Sequence, residues 1–201
     1  MFLFLDVVSP IPEFHLINDK KIINSFKITY KTNQKLSDLI VPTYLDINNT
    51  YNLSKNIKKL IITIGPGSYT ALRVGASFIA GLSHSMCLPV SVISISNIYQ
   101  HLAVSNENIG IYFESSNDQK YFSYKKNSKI VYKKVENQNF SIPKSISLMY
   151  FNKSLPNFID NKIKSEAFSI KKTVIQNLNK LEFDKNLIIK PIYISNNSIL
   201  N

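Results

Sequence analysis

The sequence predicts an α/β protein built in two unequal halves. Over residues 1–104, short apolar runs rich in β-branched residues alternate with stretches of helical period, in the order β-β-β-α-β-α-β-α. Residues 105–201 carry mostly strand and hairpin signals. Four of the five glycines and the only arginine fall within residues 65–81, where a strand, a tight turn and a helix meet. A chain that uses glycine so sparingly places it where no side chain fits.

Taken in order, residues 1–6 form an apolar run ending in Asp6, read as a buried first strand. Glu13–Asn18 and Lys21–Lys31 read as two further strands around an Asn18-Asp19-Lys20 turn, with Ile23, Phe26, Ile28 and Tyr30 available for packing. Leu36, Leu39, Ile40, Tyr44, Leu45 and Ile47 recur at helical spacing, and Pro42 predicts a late start or a kink there. Leu60–Ile64 is a short β-branched strand, a helix follows over about 69–85, and Pro89–Ile95 is another buried strand. Ser96 is expected to cap a helix running to about Val104. Polar Ser105-Asn106-Glu107-Asn108 marks the expected boundary between a first lobe, 1–104, and a smaller, divergent one, 105–201, whose tail can pack back on the first. Beyond it lie strands at Ile109–Phe113, Lys120–Tyr124, Lys129–Val135 and Ser147–Phe151, then a helix at Ser169–Leu181 with Ile170, Val174, Ile175 and Leu178 on one face. A late edge strand is expected over Leu187–Ile194, where Pro191 suits an edge. No internal repeat shows at a fixed period.

Composition bounds the function. One cysteine, Cys87, excludes an internal disulfide framework and an all-cysteine metal site. The opening residues are too short and too interrupted by Asp6 for a signal segment, and no run is long enough for a membrane span, so a cytoplasmic protein is expected. The net charge of +11 is spread over lysine pairs such as Lys58-Lys59 and Lys133-Lys134, the pattern of a solvated surface rather than a concentrated nucleic-acid patch.

The glycine segment, Gly65-Pro66-Gly67-Ser68-Tyr69-Thr70-Ala71-Leu72-Arg73-Val74-Gly75, fits none of the familiar fingerprints. Thr70 occupies the last glycine place of a dinucleotide motif, no Gly-Lys-Ser/Thr follows for a phosphate loop, and Ser68 directly after Gly67 breaks a nucleophile elbow. What remains is a strand, a tight turn, and a helix start with Ser68 and Thr70 as caps. Such a turn can hold an anion on its N–H groups or simply allow close packing. The helix mixes small residues (Ala71, Gly75, Ala76, Ala80, Gly81) with large ones (Leu72, Val74, Phe78, Ile79, Leu82) nearly all round. It is therefore expected to be buried on more than one side, against its own sheet and against a partner. Arg73, its sole charge, is expected to pin two segments through its fork of donors.

The remaining constellations are thin. His84 and Cys87 have ligand-like spacing, but His15 and His101 stand alone, so a cap is the simpler reading and no metal site is expected. No orienting acid lies near for a His84–Cys87 nucleophile. Asp6 can position a metal or water near a phosphate, or cap the following turn. Glu114, Asp118, Asp160, Glu182 and Asp184 show no spacing that selects a catalytic pair.

Gly65-Pro66-Gly67-Ser68-Tyr69-Thr70 with Arg73 and Gly75 resembles the signature of the TsaB (YeaZ) family, which takes part in forming threonylcarbamoyladenosine in tRNA. The likeness is strong over residues 60–96. It extends weakly to Asp6, to Leu39 and Pro42, and to Pro191-Ile192-Tyr193. Residues 114–190 match poorly: Glu114-Ser115-Ser116 stands where the family carries an Asp-Ala-Arg stretch, and Ala71-Leu72 replaces Gly-Val. The resemblance implies a reduced actin-like ATPase (ASKHA) fold with two related lobes, mixed β-sheets flanked by helices. It implies a non-catalytic scaffold, without cofactor or catalytic residue, that pairs with a TsaD-like threonylcarbamoyltransferase. A TsaE-like ATPase joins that complex and tRNA is reached through it; for the subunit alone, homodimer and monomer both stay open. Leu39, Tyr69, Ala71, Leu72, Gly75, Phe78 and Ile79 are the implied partner interface. Gly65, Pro66, Gly67, Ser68, Thr70 and Arg73 are the implied structural motif. Two other readings stand beside it: an active ATPase or kinase of the same fold, using Asp6 and the glycine turn, and a hydrolase using Ser68 or Cys87.

Overall fold

A computed structural model describes residues 1–29, 34–136, 140–156, 159–160 and 162–194. The first sheet is built on β1 (Phe2–Asp6), paired antiparallel with β2 (Glu13–Asn18) and parallel with β4 (Lys59–Gly65). Adding β3 (Lys21–Lys27) outside β2 and β5 (Val90–Ser94) outside β4 gives the order β3-β2-β1-β4-β5. The second sheet repeats this plan: β6 (Ile109–Glu114) is central, antiparallel to β7 (Lys120–Lys126) and parallel to β9 (Leu148–Phe151). With β8 (Lys129–Lys134) and β10 (Lys164–Ala167), its order is β10-β9-β6-β7-β8. The repeat therefore lives in strand order and direction, which a residue-by-residue period does not reveal.

Side-chain alternation assigns the faces. Leu3, Leu5, Phe14 and Leu16 are buried, and Phe14 meets Phe78 edge-on at 5.8 Å. This side of the sheet is covered by α1 (Leu36–Tyr51) and α3 (Tyr69–Met86). α1 runs through Pro42 without a break. Its start is secured by Asp38 Oδ2, which accepts a hydrogen bond from the Lys35 N–H at 2.9 Å. Its stripe of Leu36, Ile40, Tyr44 and Ile47 is buried. Burying four such side chains, at about 1.5–3 kcal/mol each, outweighs the roughly 3 kcal/mol a mid-helix proline costs. The chain then makes one further turn, α2 (Leu53–Asn56).

Between the sheets, Ile109, Ile111, Phe113, Tyr121 and Tyr132 of the second join one core with the first. The other face of the second sheet has its own smaller core around Tyr112, Phe122 and Met149.

Several boundaries differ from expectation. The cap of α4 (Ile95–Leu102) is Ser94, which exchanges hydrogen bonds with Asn97; Ser96 instead bonds the Tyr132 hydroxyl across to β8. The late helix is only α5 (Ile170–Gln176), followed by a single 3-10 turn at Leu178–Lys180. β10, of sequence Lys-Ser-Glu-Ala, carries no strand-forming residue and is held by its parallel pairing to β9. β3 ends at Lys27; Tyr30 and Lys31 lie outside the described residues. Residues 187–194 form no strand. They run as a strap, because the central strands β1 and β4 already use their edges and Pro191 has no N–H to give. The strap is anchored by a two-way backbone bridge between Asp184 and Val90 and by the Ile192 N–H donating to the Ile64 carbonyl at 2.7 Å. No helix among the described residues is long and apolar enough to cross a membrane.

Candidate functional site

The glycine turn joins β4 to α3 and lies where the two sheets meet. Gly65 has φ +109, and its peptide to Pro66 is cis. A Cβ on Gly65 would stand 2.7 Å from the Ile192 carbonyl oxygen of the strap, so both the backbone angle and the close approach require glycine. Ser68 occupies the N-cap of α3, but its side chain makes no capping bond; its carbonyl accepts from the Leu72 N–H. Thr70 is exposed in the first turn of the helix.

The Ser68 amide of this turn does not face open solvent. The buried Ser68 N–H donates to Ser115 Oγ at 3.2 Å, and the Tyr121 hydroxyl donates to the Gly67 carbonyl at 3.1 Å. Both partners come from the second sheet region and had no signal in sequence spacing. The Ser68 amide is therefore taken by a serine hydroxyl rather than left for an anion. Beside it, Glu114 is buried. Burial alone would raise its pKa, but the Ser154 hydroxyl at 2.6 Å and the Lys153 ammonium at 3.0 Å together hold it below the ordinary carboxylate value.

α3 has two distinct sides. Ala71, Leu72, Gly75, Ala76 and Ile79 are buried against the first sheet. A Cβ on Gly75 would meet Val7 Cγ1 at 2.8 Å, so the small residue lets α3 approach the residue that follows β1. Burial is confined to that side, since Tyr69, Thr70, Arg73, Ser77, Ala80 and Gly81 are exposed. α1 packs alongside through Tyr44, whose ring meets Phe78 edge-on at 5.4 Å. Val41 and Leu45 of α1 remain 47% and 49% exposed, and Tyr69 of α3 is 55% exposed. Of the residues expected at a partner interface, the structure leaves Tyr69 exposed and Leu39 and Phe78 half-buried, next to Val41 and Leu45.

Among the described residues, Arg73 makes its hydrogen bond within its own helix. Its Nη1 donates to Tyr69 Oη at 2.9 Å, one turn back on the same helix, and its guanidinium lies 5.1 Å from that ring. Tyr69 in turn packs on Tyr193 of the strap at 4.7 Å. An exposed contact of this kind contributes a few tenths of a kcal/mol. Arg73→Lys is accordingly expected to change the free energy of unfolding of the isolated chain by less than about 0.5 kcal/mol. A denaturation midpoint displaced by more than that would show that Arg73 has a structural partner.

The other singled-out residues are structural in their surroundings. Asp6 caps the β1–β2 turn: it accepts from Val8 N (3.0 Å), Ser9 N (3.2 Å), Ser9 Oγ (2.6 Å) and Thr63 Oγ1 (3.0 Å). Cys87 ends α3 in the left-handed conformation, its thiol beside the backbone carbonyl of His84. No cluster of three metal-ligating side chains occurs among the described residues.

His15 proves less isolated than its sequence position suggests. It is buried on β2, with Nδ1 2.8 Å from Ser25 Oγ and Nε2 3.4 Å from a Glu13 carboxylate oxygen, and Lys171 of α5 reaches the same carboxylate at 3.2 Å. Burial pushes its pKa below the ordinary 6.5; Asp6 and Glu13 oppose the shift and Lys171 adds to it. Because the unfolded chain takes the proton first, stability present above pH 6.5 is expected to fall as the pH drops toward the lowered folded value. His101, lowered by burial and by Lys180, contributes with the same sign. Urea midpoints measured across this window should fall less steeply for His15→Gln than for the native chain; parallel curves would remove His15 from the account.

The model of the TsaD family, tRNA N6-adenosine threonylcarbamoyltransferase, matches residues 27–188. The chain belongs to the TsaD family. Among solved structures, this TsaD-family chain is similar to YeaZ from Pseudomonas aeruginosa, at TM-score 0.60 and 13% identity over 96% of this chain and 99% of that one. A second structure, of an uncharacterized protein with similarity to peptidase YeaZ from Pseudomonas aeruginosa, matches with the same values. No curated protein matches in sequence. The fold is that of YeaZ, two mixed five-stranded sheets flanked by helices, as the TsaB resemblance implies. Family and fold together support a role in forming threonylcarbamoyladenosine in tRNA.

Proposed function

We propose that this TsaD-family chain is a non-catalytic subunit, cytoplasmic, that pairs with a TsaD-like threonylcarbamoyltransferase subunit. A TsaE-like ATPase completes the assembly, and tRNA is modified within it. The observation that carries this reading is the Ser68–Ser115 contact. A phosphate held at the start of α3 would draw on the amides of the turn after β4, and here the Ser68 amide is already given to Ser115 Oγ. Asp6 is likewise saturated by local donors rather than aimed at a ligand. The two lobes are residues 1–104 and 105–201, with the strap returning to the first.

The pairing surface is the outer side of α1 and α3, with Leu39, Val41, Leu45, Tyr69 and Phe78 in contact and Ala71, Leu72, Gly75 and Ile79 backing them. Self-association of the lone subunit uses the same apolar face. The description of the family itself favours a second reading, in which the chain is an active transferase or ATPase. One experiment separates them. Leu45→Asp is expected to abolish co-elution with a TsaD-like partner in size-exclusion chromatography while leaving the melting temperature near the native value, and the isolated native chain is expected to show no ATP turnover. Turnover that vanishes in Asp6→Asn would establish the active reading instead.

A further inference from the structure

An open groove of about 740 Å³ lies between α4, the β7–β8 hairpin tip and the strap, away from the outer face of α1. Its floor and walls include Gln100, Lys129, Tyr132, Lys190 and Tyr193. Both charged residues lining it are cations. The hairpin tip adds the exposed Lys126, paired in register with Lys129. At the mouth, Tyr193 packs against Tyr69 with the rings tilted by 45°, and Tyr69 carries the Arg73 guanidinium. The sole arginine and two tyrosines therefore extend the cationic groove onto the start of α3.

Cations at intervals with aromatic faces between them are what a single strand of nucleic acid requires: phosphates are neutralised by lysine and bases stack on flat rings. The Gln100 amide and the Ser96 and Ser128 hydroxyls supply donors and acceptors for base edges. An acidic peptide would use the lysines but leave the tyrosine faces without a matching surface. We propose that this groove binds a single-stranded segment of RNA, contacting it directly through Lys129, Lys190 and Tyr193. The proposal rests on the tRNA-modifying reading above and adds a direct contact by this subunit.

Fluorescence anisotropy of the full chain with a short, labelled, mixed-sequence single-stranded RNA tests it. The native chain is expected to bind with a Kd in the range of about 10⁻⁴–10⁻⁶ M at physiological salt, weakening steeply as salt rises further. Lys129→Gln with Lys190→Gln should lower affinity by roughly tenfold and flatten the log–log salt slope by about 1.4, the value for two lost single-strand phosphate contacts. Lys20→Gln with Lys21→Gln, on the β2–β3 turn, removes equal charge and should leave both within about twofold. Equal losses in the two double variants, or competition by polyglutamate as strong as by unlabelled RNA, would overturn the proposal in favour of non-specific charge. Matched melting curves confirm that each variant is folded. Pairing with the TsaD-like subunit is scored separately by co-elution. RNA binding lost in the groove variant with pairing intact supports the groove, and a chain that never pairs but binds RNA through Lys129 and Lys190 overturns the proposed function alone.

Discussion

Gly65→Ala is expected to destabilise the protein by roughly 3 kcal/mol or more, a large part of the stability of a domain this size. Two costs add. At φ +109 an alanine occupies a region that L-residues avoid, at about 1–3 kcal/mol. Its Cβ also stands 2.7 Å from the Ile192 carbonyl oxygen, which is backbone and cannot rotate away. The chain can relieve the clash only by lifting the strap, which breaks the 2.7 Å bond from Ile192 N–H to the Ile64 carbonyl and separates Tyr193 from Tyr69. Calorimetry should show the loss, and hydrogen exchange should speed at Ile192. A native melting temperature with a protected Ile192 amide would refute the close approach.

The two helical glycines of α3 should respond in opposite directions to the same change. Gly81 has nothing within 4 Å of its Cβ position, so Gly81→Ala is expected to stabilise by about 0.5–1 kcal/mol through helix propensity alone. At Gly75 the same gain is opposed by Val7 Cγ1 at 2.8 Å and Val7 Cγ2 at 3.2 Å, leaving Gly75→Ala a net loss of about 1 kcal/mol. Gly75→Leu drives four heavy atoms into that contact and is expected to cost about 3 kcal/mol or more. Denaturant titration of the three variants checks the order. A folded, native-like Gly75→Leu chain that has lost only its partner would return Gly75 to an external interface.

The first lobe was largely legible because its signals are local. The β-branched run of β4, the glycine turn and the length of α3 each announce themselves within a few residues, and β1, β2 and β3 follow from alternation and a turn. The second lobe hides its logic in pairing. β10 is strand only because Phe151 and its neighbours offer an edge, and its Lys, Ser, Glu and Ala carry no preference of their own. The strap misleads in the opposite sense: Leu187–Ile194 has strand-like composition but forms no strand, and Pro191 in its midst has no N–H for a ladder. At the site, small residues on α3 were visible as a set, yet their division between inside and outside depends on which face meets Val7. Ser115 and Tyr121, which decide what the glycine turn can bind, are distant in sequence from it. No spacing rule connects them.

The strap also sets an order of assembly. Synthesis runs from the N-terminus, so β4 and its glycine turn exist long before residue 192 emerges. Until then the Ile64 carbonyl has only water to satisfy it, and the Phe2 ring, which packs on Phe183 at 5.8 Å, stays uncovered. The second sheet must be translated in the interval. The earliest lobe to leave the ribosome is thus the last to be sealed, and its closing contact spans most of the sequence, the kind of long-range loop that slows folding. A nascent chain halted within the second sheet would hold an unlatched first lobe with an exposed aromatic edge, the form that a chaperone or protease would recognise.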